Sequence, residues 1–308
     1  MKKRLTGLLG SLMLCTVLCQ AQQIEWSPEQ IKTFSEDYKG ERSPDGRPKV
    51  SDGLLKRLAN VSIEEAWGFL RNKGYNNQYD AGWTIIGDGV LTGRVVTAQY
   101  MPTRPDIDEK IKEKGKDEGR VGSPNSWPID ILTSGDVYVA DGFGKIIDGT
   151  LIGDNLGNAI YAKSGTGVVF DAGARDVEGL EQIDGFVGFV RGLDPSYIRE
   201  MMLTCINCPI RIGRATVMPG DLVLGKKEGV VFIPAAFADD LIKNAEFTAL
   251  RDEFGHLRLR EGKYTPGEID RRWTDNIKSD FLQWIKDHPE KLQMTPKEFE
   301  DYMKERNW

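Results

Sequence analysis

Two short segments of the chain carry residue types that can support chemistry. Gly173-Ala174-Arg175-Asp176 places a guanidinium beside a carboxylate, and Gly153-Asp154-Asn155-Leu156 supplies a second carboxylate upstream. Both lie among glycine-punctuated apolar runs, a pattern that predicts strand ends. Carboxylate oxygens suit a hard divalent cation, and a guanidinium suits a small anion. The two segments therefore predict a site for a divalent metal and a small anionic substrate.

The histidine content limits the alternatives. His256 and His288 are the only two histidines, and both lie in the last fifth of the chain. A Ser-His-Asp hydrolase needs a histidine base beside its nucleophile, and a histidine-rich zinc site needs several imidazoles. Both classes are hard to assemble here, whereas hard cations bind through carboxylates and water. The composition therefore favours oxygen-ligand chemistry with a hard divalent ion.

Residues 1–21 have the features of a secretory signal peptide. Three basic residues precede an apolar run at positions 8–18, and small or polar residues follow it. The run is shorter than the roughly 20 residues that a membrane-spanning helix needs, which disfavours a permanent anchor. Lipidation of Cys19 is an alternative, although Leu18 is bulkier than the small residue expected before such a site. The segment predicts a periplasmic or secreted protein, with no stable membrane span after cleavage.

The charge balance argues against nucleic acid as a partner. The chain has 41 basic and 47 acidic residues, and removal of residues 1–21 leaves 38 and 47, a net charge of −9. Nucleic-acid binding depends on basic residues that neutralise phosphates, and this chain has no long cluster of lysine and arginine. We therefore expect no nucleic-acid partner.

Cys205 and Cys208 are the two cysteines that remain after residue 21, and they form a Cys-Ile-Asn-Cys motif. Without a second such motif, one chain cannot assemble a four-cysteine zinc site. In an oxidising compartment the pair can form a tight disulfide, act in redox exchange, or stay reduced. A thioredoxin-type motif begins a helix, whereas residues 209–212 have a strand pattern, which favours a structural or incidental pair.

The pattern along the chain predicts a mixed α/β core with added helices at both ends. Ser27-Pro28-Glu29-Gln30 combines a capping hydroxyl, a first-position proline and a third-position glutamine, which predicts a helix start within an N-terminal helix and linker at 22–48. The core, 49–262, opens with helical spacing of apolar residues and continues with glycine-punctuated strands. A C-terminal helical extension is predicted at 263–308.

Short apolar runs predict the strands of the core. These runs lie at 83–86, 89–98, 136–140, 166–170, 185–190, 210–217, 222–224 and 230–233. The predicted helices lie within 145–163, near 176–182 and over 235–259. The charged segment 106–120 is predicted to be a solvated helix or loop. Thr265-Pro266-Gly267-Glu268 and Thr295-Pro296-Lys297-Glu298 repeat one helix-start pattern, so two helices are predicted in the extension.

Four sequence elements carry a family resemblance. They are Gly153-Asp154 upstream of Arg175-Asp176, the run 167–173 that leads into that pair, and the segments 217–223 and 229–234. Across residues 50–262 the chain resembles the RraA-like proteins, which include class II 4-hydroxy-4-methyl-2-oxoglutarate aldolases and the protein regulator of ribonuclease E. The resemblance implies an α/β fold whose glycine-punctuated strands form a layered β/β/α core, with extra N- and C-terminal helices here.

The resemblance implies roles for the Arg-Asp pair. In aldolase members the arginine holds a pyruvate-type substrate or its enolate, which implies that role for Arg175. The following aspartate anchors the metal, largely with waters, which implies that Asp176 binds Mg²⁺ or Mn²⁺. A metal and a fixed guanidinium both stabilise the negative charge that develops on an enolate oxygen when a bond next to a 2-oxo acid is cleaved.

The resemblance also implies roles for the upstream segment, residues 153–156. Asp154 is implied to position or deprotonate a water molecule. Gly153 and the backbone N–H groups of Asn155 and Leu156 would bind the substrate carboxylate. Residues 155–158 differ from the apolar residues usual in aldolase members, so the substrate pocket is expected to differ as well.

The family sites are completed across a subunit boundary by an acidic residue on the long C-terminal helix. That position corresponds here to Asp252, with Glu253 as its neighbour, and the family implies a homotrimer or hexamer. The function implied is a metal-dependent lyase acting on small 2-oxo carboxylates by retro-aldol cleavage or decarboxylation. Two alternatives stay open: a protein-binding scaffold without catalysis, and an enzyme acting on a sugar acid or another hydroxy acid.

Overall fold

A computed structural model describes residues 24–305 of the 308-residue chain. The predicted signal peptide lies outside the described residues, so it stays a prediction. The helices are α1 (Pro28–Phe34), α2 (Asp52–Leu58), α3 (Ile63–Asn72), α4 (Pro105–Asp117), α5 (Trp127–Asp130), α6 (Asp154–Ser164), α7 (Val177–Glu181), α8 (Ala238–Arg260), α9 (Pro266–Ile269), α10 (Asp275–Asp287) and α11 (Pro296–Glu305). The strands are β1 (Tyr79–Asp80), β2 (Thr84–Ile86), β3 (Leu91–Pro102), β4 (Asp136–Ile152), β5 (Val168–Ala174), β6 (Gly188–Leu193), β7 (Met201–Ile206), β8 (Ile210–Ile212), β9 (Ala215–Val217), β10 (Leu222–Lys226) and β11 (Gly229–Ile233).

Nine of these strands form one mixed sheet. Its order is β1-β11-β10-β3-β4-β5-β6-β2, and β7 pairs with the later part of β3. The central strands β3 to β6 run parallel, while the flanking strands pair antiparallel. Strands β8 and β9 form a separate hairpin. The predicted mixed α/β fold is therefore confirmed.

Alternating side chains along the strands divide the core into layers. In β5, Phe170 packs in the layer that contains α5, α6 and α7, whereas Val169 packs with the β8–β9 hairpin. In β11, Val231 packs against α2, α3 and α8, whereas Phe232 joins the hairpin layer. The later part of α8 forms a further aromatic cluster with α10 and α11. Each central strand is thus buried on both faces, as parallel strands usually are.

Strand β4 differs most from its prediction. The sequence indicated a strand only to residue 140, yet β4 continues to Ile152 and helix α6 begins at Asp154. Phe143 and Asp148 have positive φ angles of 47° and 54°, and the pairing with β5 shifts register in this stretch. The irregular stretch interrupts the apolar alternation, which is why the sequence pattern placed the strand end too early.

Other elements follow the prediction with differences in detail. The predicted strand at 210–217 is a hairpin, because Gly213 at φ 56° turns the chain between β8 and β9. Strand β7 was missed. The extension contains α10 in addition to the two helices whose start patterns were recognised, and the first of these, α9, is a single turn. Among the helices of residues 24–305, none is both long and apolar enough to cross a bilayer.

Cys205 and Cys208 form a disulfide between the end of β7 and the start of β8. Thr97 in β3 donates a hydrogen bond from Oγ1 to Cys208 O at 2.6 Å, which ties this turn to the sheet. No helix begins at the motif, since the strand predicted after it is present. The structure therefore agrees with a structural pair.

A buried ion pair joins the N-terminal segment to the sheet. Arg47 and Asp136 are 2% and 1% exposed, and two guanidinium nitrogens donate to the two carboxylate oxygens at 3.1 and 3.0 Å. Asp136 also accepts from the N–H and hydroxyl of Thr133, both at 2.9 Å. Because Asp136 begins β4, the pair anchors the segment before α2 at the amino end of the parallel strands.

Replacement of Arg47 by methionine is expected to lower the free energy of unfolding by about 3 kcal/mol, because it leaves the Asp136 carboxylate buried without its main partner. The matched control is Lys49→Met, two residues away, which removes an exposed ion pair with Glu41 and should change stability by less than about 1 kcal/mol. Urea denaturation of both variants measures the difference. Equal effects would contradict the role given to the buried pair.

Candidate active site

The parallel pairing of β4 and β5 brings the two predicted segments together. Ile152, at the end of β4, lies opposite Ala174, at the end of β5. Gly153 and Arg175 therefore leave the sheet side by side, and Arg175 N–H donates to Ile152 O at 3.1 Å. Because the carboxyl ends of parallel strands meet at one edge of a sheet, residues that are separate in sequence become neighbours here.

Gly153 permits the closest approach in the site. A Cβ atom at this position would lie 2.4 Å from Asp176 Oδ2 and 3.4 Å from Arg175 Cγ. The φ angle of Gly153 is −130°, which other residues also adopt, so its backbone conformation does not require glycine. Glycine is needed because the Asp176 carboxylate rests where a side chain would be.

Asp176 turns the chain from β5 into α7 with a left-handed backbone, φ 53° and ψ 43°. Aspartate tolerates this region better than most residues do. Its carboxylate makes no capping hydrogen bond to α7, and Oδ2 lies 3.4 Å from Arg175 Nη1. Both side chains are 40% exposed, so this ion pair remains accessible to a ligand.

The start of α6 places backbone donors beside this pair. Asp154 is the first residue of the helix, and its Oδ1 accepts a hydrogen bond from Asn155 N–H at 2.7 Å. Leu156 N–H makes no hydrogen bond to any described residue. The helix dipole adds partial positive charge at this end. An anion could therefore accept a hydrogen bond from the Leu156 N–H directly. The Asn155 N–H becomes available only if the Asp154 side chain rotates away from it.

Asp154 lies between α6 and α7. A Cβ atom at Gly179 would lie 2.7 Å from Asp154 Cβ and 3.1 Å from its Oδ2, so α7 passes close to this side chain. Asp154 is half-buried and forms no ion pair with a described residue. Its second carboxylate oxygen is therefore free to accept a proton or to hold a water molecule.

A cavity of about 80 Å³ opens beside these residues. The candidate residues in its lining are Gly153, Asp154, Asn155, Leu156 and Arg175. Asp176 does not line it and joins the site through its contacts with Gly153 and Arg175. The small volume suits a compact substrate.

Six other residues of the lining were not singled out from the sequence, among them Leu151 and Ile152 at the end of β4. The other four are Asn125, Thr150, Tyr197 and Ile198. Thr150 Oγ1 donates to Ser196 O at 2.5 Å, which holds the segment after β6 against β4. That segment could have been found, because β6 is parallel to β5 and its carboxyl end lies at the same edge. Asn125 follows α4 and offered no such signal.

Asp252 is not brought to this site within one chain. It is exposed on α8, and its charge contributes, after burial, to the raised pKa of Glu65 on α3. Helices α2, α3 and α8 cover β10 and β11, which are separated from β5 by β3 and β4. A role for Asp252 at the Arg175 cavity therefore depends on a second subunit.

The side chains present fit a metal ion that keeps most of its waters. Within residues 24–305, no group of three or more His, Cys, Asp or Glu side chains is arranged to hold a metal. Mg²⁺ commonly binds through one or two carboxylates and retains several waters. Asp176 supplies one exposed carboxylate with no capping bond, so it suits Mg²⁺ or Mn²⁺ better than an ion that needs a closed set of protein ligands.

Comparison with known proteins gives a match to a family and to solved structures. The family model described as Aldolase/RraA (RraA-like) matches residues 48–232. The crystal structure of Streptomyces coelicolor RraAS2, described as an unusual member of the RNase ES inhibitor RraA protein family, is 25% identical, with a TM-score of 0.58 over 68% of this chain and 100% of that one. An uncharacterized protein from Pseudomonas syringae pv. tomato is 20% identical, with a TM-score of 0.58 over 73% of this chain and 100% of that one, which is a likeness of fold.

One curated relative carries an enzyme name. A protein of Halalkalibacterium halodurans, provisionally named 4-hydroxy-4-methyl-2-oxoglutarate aldolase, is 29% identical over 119 residues. The match covers 39% of this chain and 56% of that protein, so this chain spans only about half the length of that relative.

Substitution of Gly153 by alanine is expected to displace the Asp176 carboxylate while leaving the fold intact, because the colliding atom is the end of a side chain. A crystal structure of the variant should show Asp176 Oδ2 moved and its contact with Arg175 lost. Gly68→Ala is the matched control, since a Cβ atom there meets nothing within 4 Å. An unmoved Asp176 in the Gly153 variant would contradict the steric argument.

Proposed function

This chain belongs to the RraA-like family, and we propose that it is a divalent-metal-dependent lyase acting on small 2-oxo carboxylates. The reactions are retro-aldol cleavage of compounds like 4-hydroxy-4-methyl-2-oxoglutarate, decarboxylation of oxaloacetate, or both. The proposed catalytic core spans 49–262, with the N-terminal helix and linker at 22–48 and the helical extension at 263–308 as additions. The name of the curated relative supports the aldolase assignment.

One observation carries the proposal. The Arg175 guanidinium and the unpaired N–H of Leu156 line one small cavity, and the accessible Asp176 carboxylate lies beside it, 3.4 Å from Arg175. A 2-oxo acid presents a carboxylate next to a carbonyl, so it needs two neighbouring groups that stabilise negative charge. The helix N-terminus suits the carboxylate, and Arg175 suits the oxygen on which charge develops.

In the retro-aldol reaction, the hydroxyl on the carbon two bonds from the carbonyl carbon loses its proton. The bond between the hydroxyl-bearing carbon and the carbon next to the carbonyl then breaks. The hydroxyl-bearing carbon becomes the carbonyl group of one product, and the electron pair of the broken bond forms the carbon–carbon double bond of an enolate, with negative charge on the original carbonyl oxygen. Decarboxylation of oxaloacetate forms the same pyruvate enolate with loss of carbon dioxide. In both reactions, proton transfer to carbon completes the formation of pyruvate, so one set of residues can serve both.

Arg175 is proposed to bind the enolate oxygen and the substrate carboxylate with its planar fork. The guanidinium stays charged at any physiological pH and is anchored at its backbone by the bond to Ile152 O. Such a preorganised donor stabilises the enolate more than the starting carbonyl, which lowers the barrier.

Asp154 is proposed to accept the hydroxyl proton through a bound water. Its Oδ1 already receives the Asn155 N–H, which orients the carboxyl group, while Oδ2 faces Gly179. Gly153 and the N–H groups of Asn155 and Leu156 are proposed to bind the substrate carboxylate.

Asp176 is proposed to hold Mg²⁺ or Mn²⁺ together with water. Such an ion, when bound, supplies Lewis acidity that stabilises an enolate oxygen. Asp252 of a neighbouring subunit is proposed to complete the site in a homotrimer or hexamer. Residues 1–21 are proposed to direct the protein to the periplasm or the exterior.

A second candidate function is a protein-binding scaffold without catalysis. The likeness to RraAS2 favours it, because that protein is described as a member of the RNase ES inhibitor RraA family. Metal binding separates the two candidates, since the proposed enzyme depends on it and a scaffold does not.

Arg175→Ala is expected to lower kcat/KM for pyruvate release by about 100-fold or more, because the enolate loses a preorganised donor. Arg175→Lys should recover only part of the loss, since a lysine lacks the planar fork. Arg71→Ala is the control, because Arg71 packs on Trp67 away from the cavity. The measurement is pyruvate release from both substrates with Mg²⁺ or Mn²⁺, and activity unchanged in Arg175→Ala would contradict the proposal.

Asp176→Ala is expected to abolish the binding of Mn²⁺ measured by calorimetry, because it removes the exposed carboxylate next to Arg175. Glu178→Ala is the matched control, since Glu178 is an exposed acid two residues further along and should leave binding unchanged. Failure of the unaltered protein to bind Mn²⁺ or Mg²⁺ would favour the scaffold.

A further inference from the structure

A second cavity, of about 460 Å³, lies at the other end of the parallel strands. Its lining includes Asp221, whose backbone C=O accepts a hydrogen bond from Val95 N–H near the start of β3, whereas Arg175 follows the end of β5. The walls come from the segments around residues 34–38 and 74–78, the β8–β9 hairpin and the turn after β11. The volume lies within the range of small-molecule sites, roughly 300–1,000 Å³.

Gln78 presents an unsatisfied acceptor in this lining. Gln78 is 8% exposed. Its Nε2 donates to Thr216 O at 3.1 Å and to Phe232 O at 3.2 Å. Both amide hydrogens are thereby used, which sets the orientation of the amide. Its Oε1 accepts no hydrogen bond from any described residue. This oxygen is not one of the described side-chain atoms that are sealed from solvent without a partner, so water or a ligand in the cavity can donate to it.

Asp221 presents a second such acceptor. It is 6% exposed, and its Oδ2 accepts from Met218 N–H at 2.9 Å, which caps the turn through Pro219 and Gly220. Its Oδ1 has no hydrogen-bond partner among the described residues. Burial raises the pKa of Asp221 to about 7, so near neutral pH the carboxyl group can either accept or donate a hydrogen bond. The turn accounts for one oxygen of this side chain and leaves the other for the cavity.

Aromatic side chains add exposed apolar surface to the lining. Phe34 is 64% and Tyr75 39% exposed, and both line the cavity. Tyr75 is held by an edge contact with Phe237, with ring centroids 5.2 Å apart. Such rigid rings offer flat apolar faces at small entropic cost. The cavity therefore combines flat apolar surface with hydrogen-bond acceptors that have no protein donor among the described residues.

The charges in the lining decide between ligand classes. Asp37 and Asp221 are its acids, and Arg214 is its cation. Phosphate or another anion is disfavoured because the lining has two carboxyl groups and one guanidinium. A cationic amine is disfavoured because Arg214 repels it. A wholly apolar ligand would leave the acceptors of Gln78 and Asp221 without donors. A neutral molecule with several hydroxyl groups and one apolar face can donate to both acceptors and pack on the aromatic surface.

We propose that this cavity binds a neutral mono- or disaccharide, whose hydroxyl groups donate to Gln78 Oε1 and Asp221 Oδ1 while one apolar ring face packs on Tyr75. This binding site is separate from the Arg175 cavity and does not depend on the lyase activity. The segment 34–38, which precedes the matched family region, supplies part of the site, so the additional N-terminal helix contributes to binding.

The test is a titration of the full-length protein, by calorimetry and ligand-observed NMR, with glucose, cellobiose and maltose as neutral probes. Inorganic phosphate and choline serve as the anionic and cationic comparators. We expect saturable binding of at least one neutral probe, with Tyr75→Ala weakening it by about tenfold because the stacking surface is lost. Gln78→Leu should weaken it as well, provided that circular dichroism shows a folded variant.

Two control variants test whether a saccharide binds at this cavity and nowhere else on the protein. Trp67 is 38% exposed, much like Tyr75, but does not line the cavity. Trp67→Ala should therefore leave saccharide binding unchanged. Arg175→Ala should also leave saccharide binding unchanged, so failure of the lyase proposal does not affect this one. The proposal is overturned if no neutral probe binds, if phosphate or choline binds more tightly, or if Tyr75→Ala binds as well as the unaltered protein.

Discussion

The parallel register of β4 and β5 is the constraint on which the candidate active site depends. It places Ile152 opposite Ala174, so that the residues after each strand leave the sheet together. Burial on both faces holds this register, because a slip by one residue would exchange the environments of Val169 and Phe170. The absence of a side chain at Gly153 then lets the Asp176 carboxylate approach the start of α6.

The electrostatic arrangement at this edge follows from local backbone geometry. The left-handed conformation at Asp176 sends the chain into α7 and leaves the carboxylate exposed, 3.4 Å from Arg175. The start of α6 adds an unpaired N–H and the positive end of a helix dipole. Positive and negative groups thus lie close together at this edge, which is the basis for proposing that an anion and a hydrated cation bind there side by side. None of these groups is an imidazole, so the proposed enolate chemistry does not depend on either of the two histidines.

The two ends of the parallel strands have different roles. The carboxyl end holds Arg175 and its cavity, while the amino end holds the buried pair of Arg47 and Asp136 and, beside it, the larger cavity with Gln78 and Asp221. Pro48 lines that cavity and directly follows Arg47, so the ion pair that secures the N-terminal segment also positions one wall of the proposed saccharide site. The two cavities lie at opposite ends of the buried sheet and share no lining residue, so a substitution in one does not touch the other.

Local patterns in the sequence were sufficient for the mixed α/β class and for the capped start of α1, because capping, alternation and glycine punctuation act between near neighbours. They were insufficient for the long, bulged β4 and for the hairpin of β8 and β9, because register shifts and tight turns depend on the strands alongside. The tertiary structure alone decided that Gly153 meets Asp176, that Tyr197 lines the same cavity, and that Gln78 and Asp221 share another. These contacts join distant parts of the chain, and the packing of whole strands determines them.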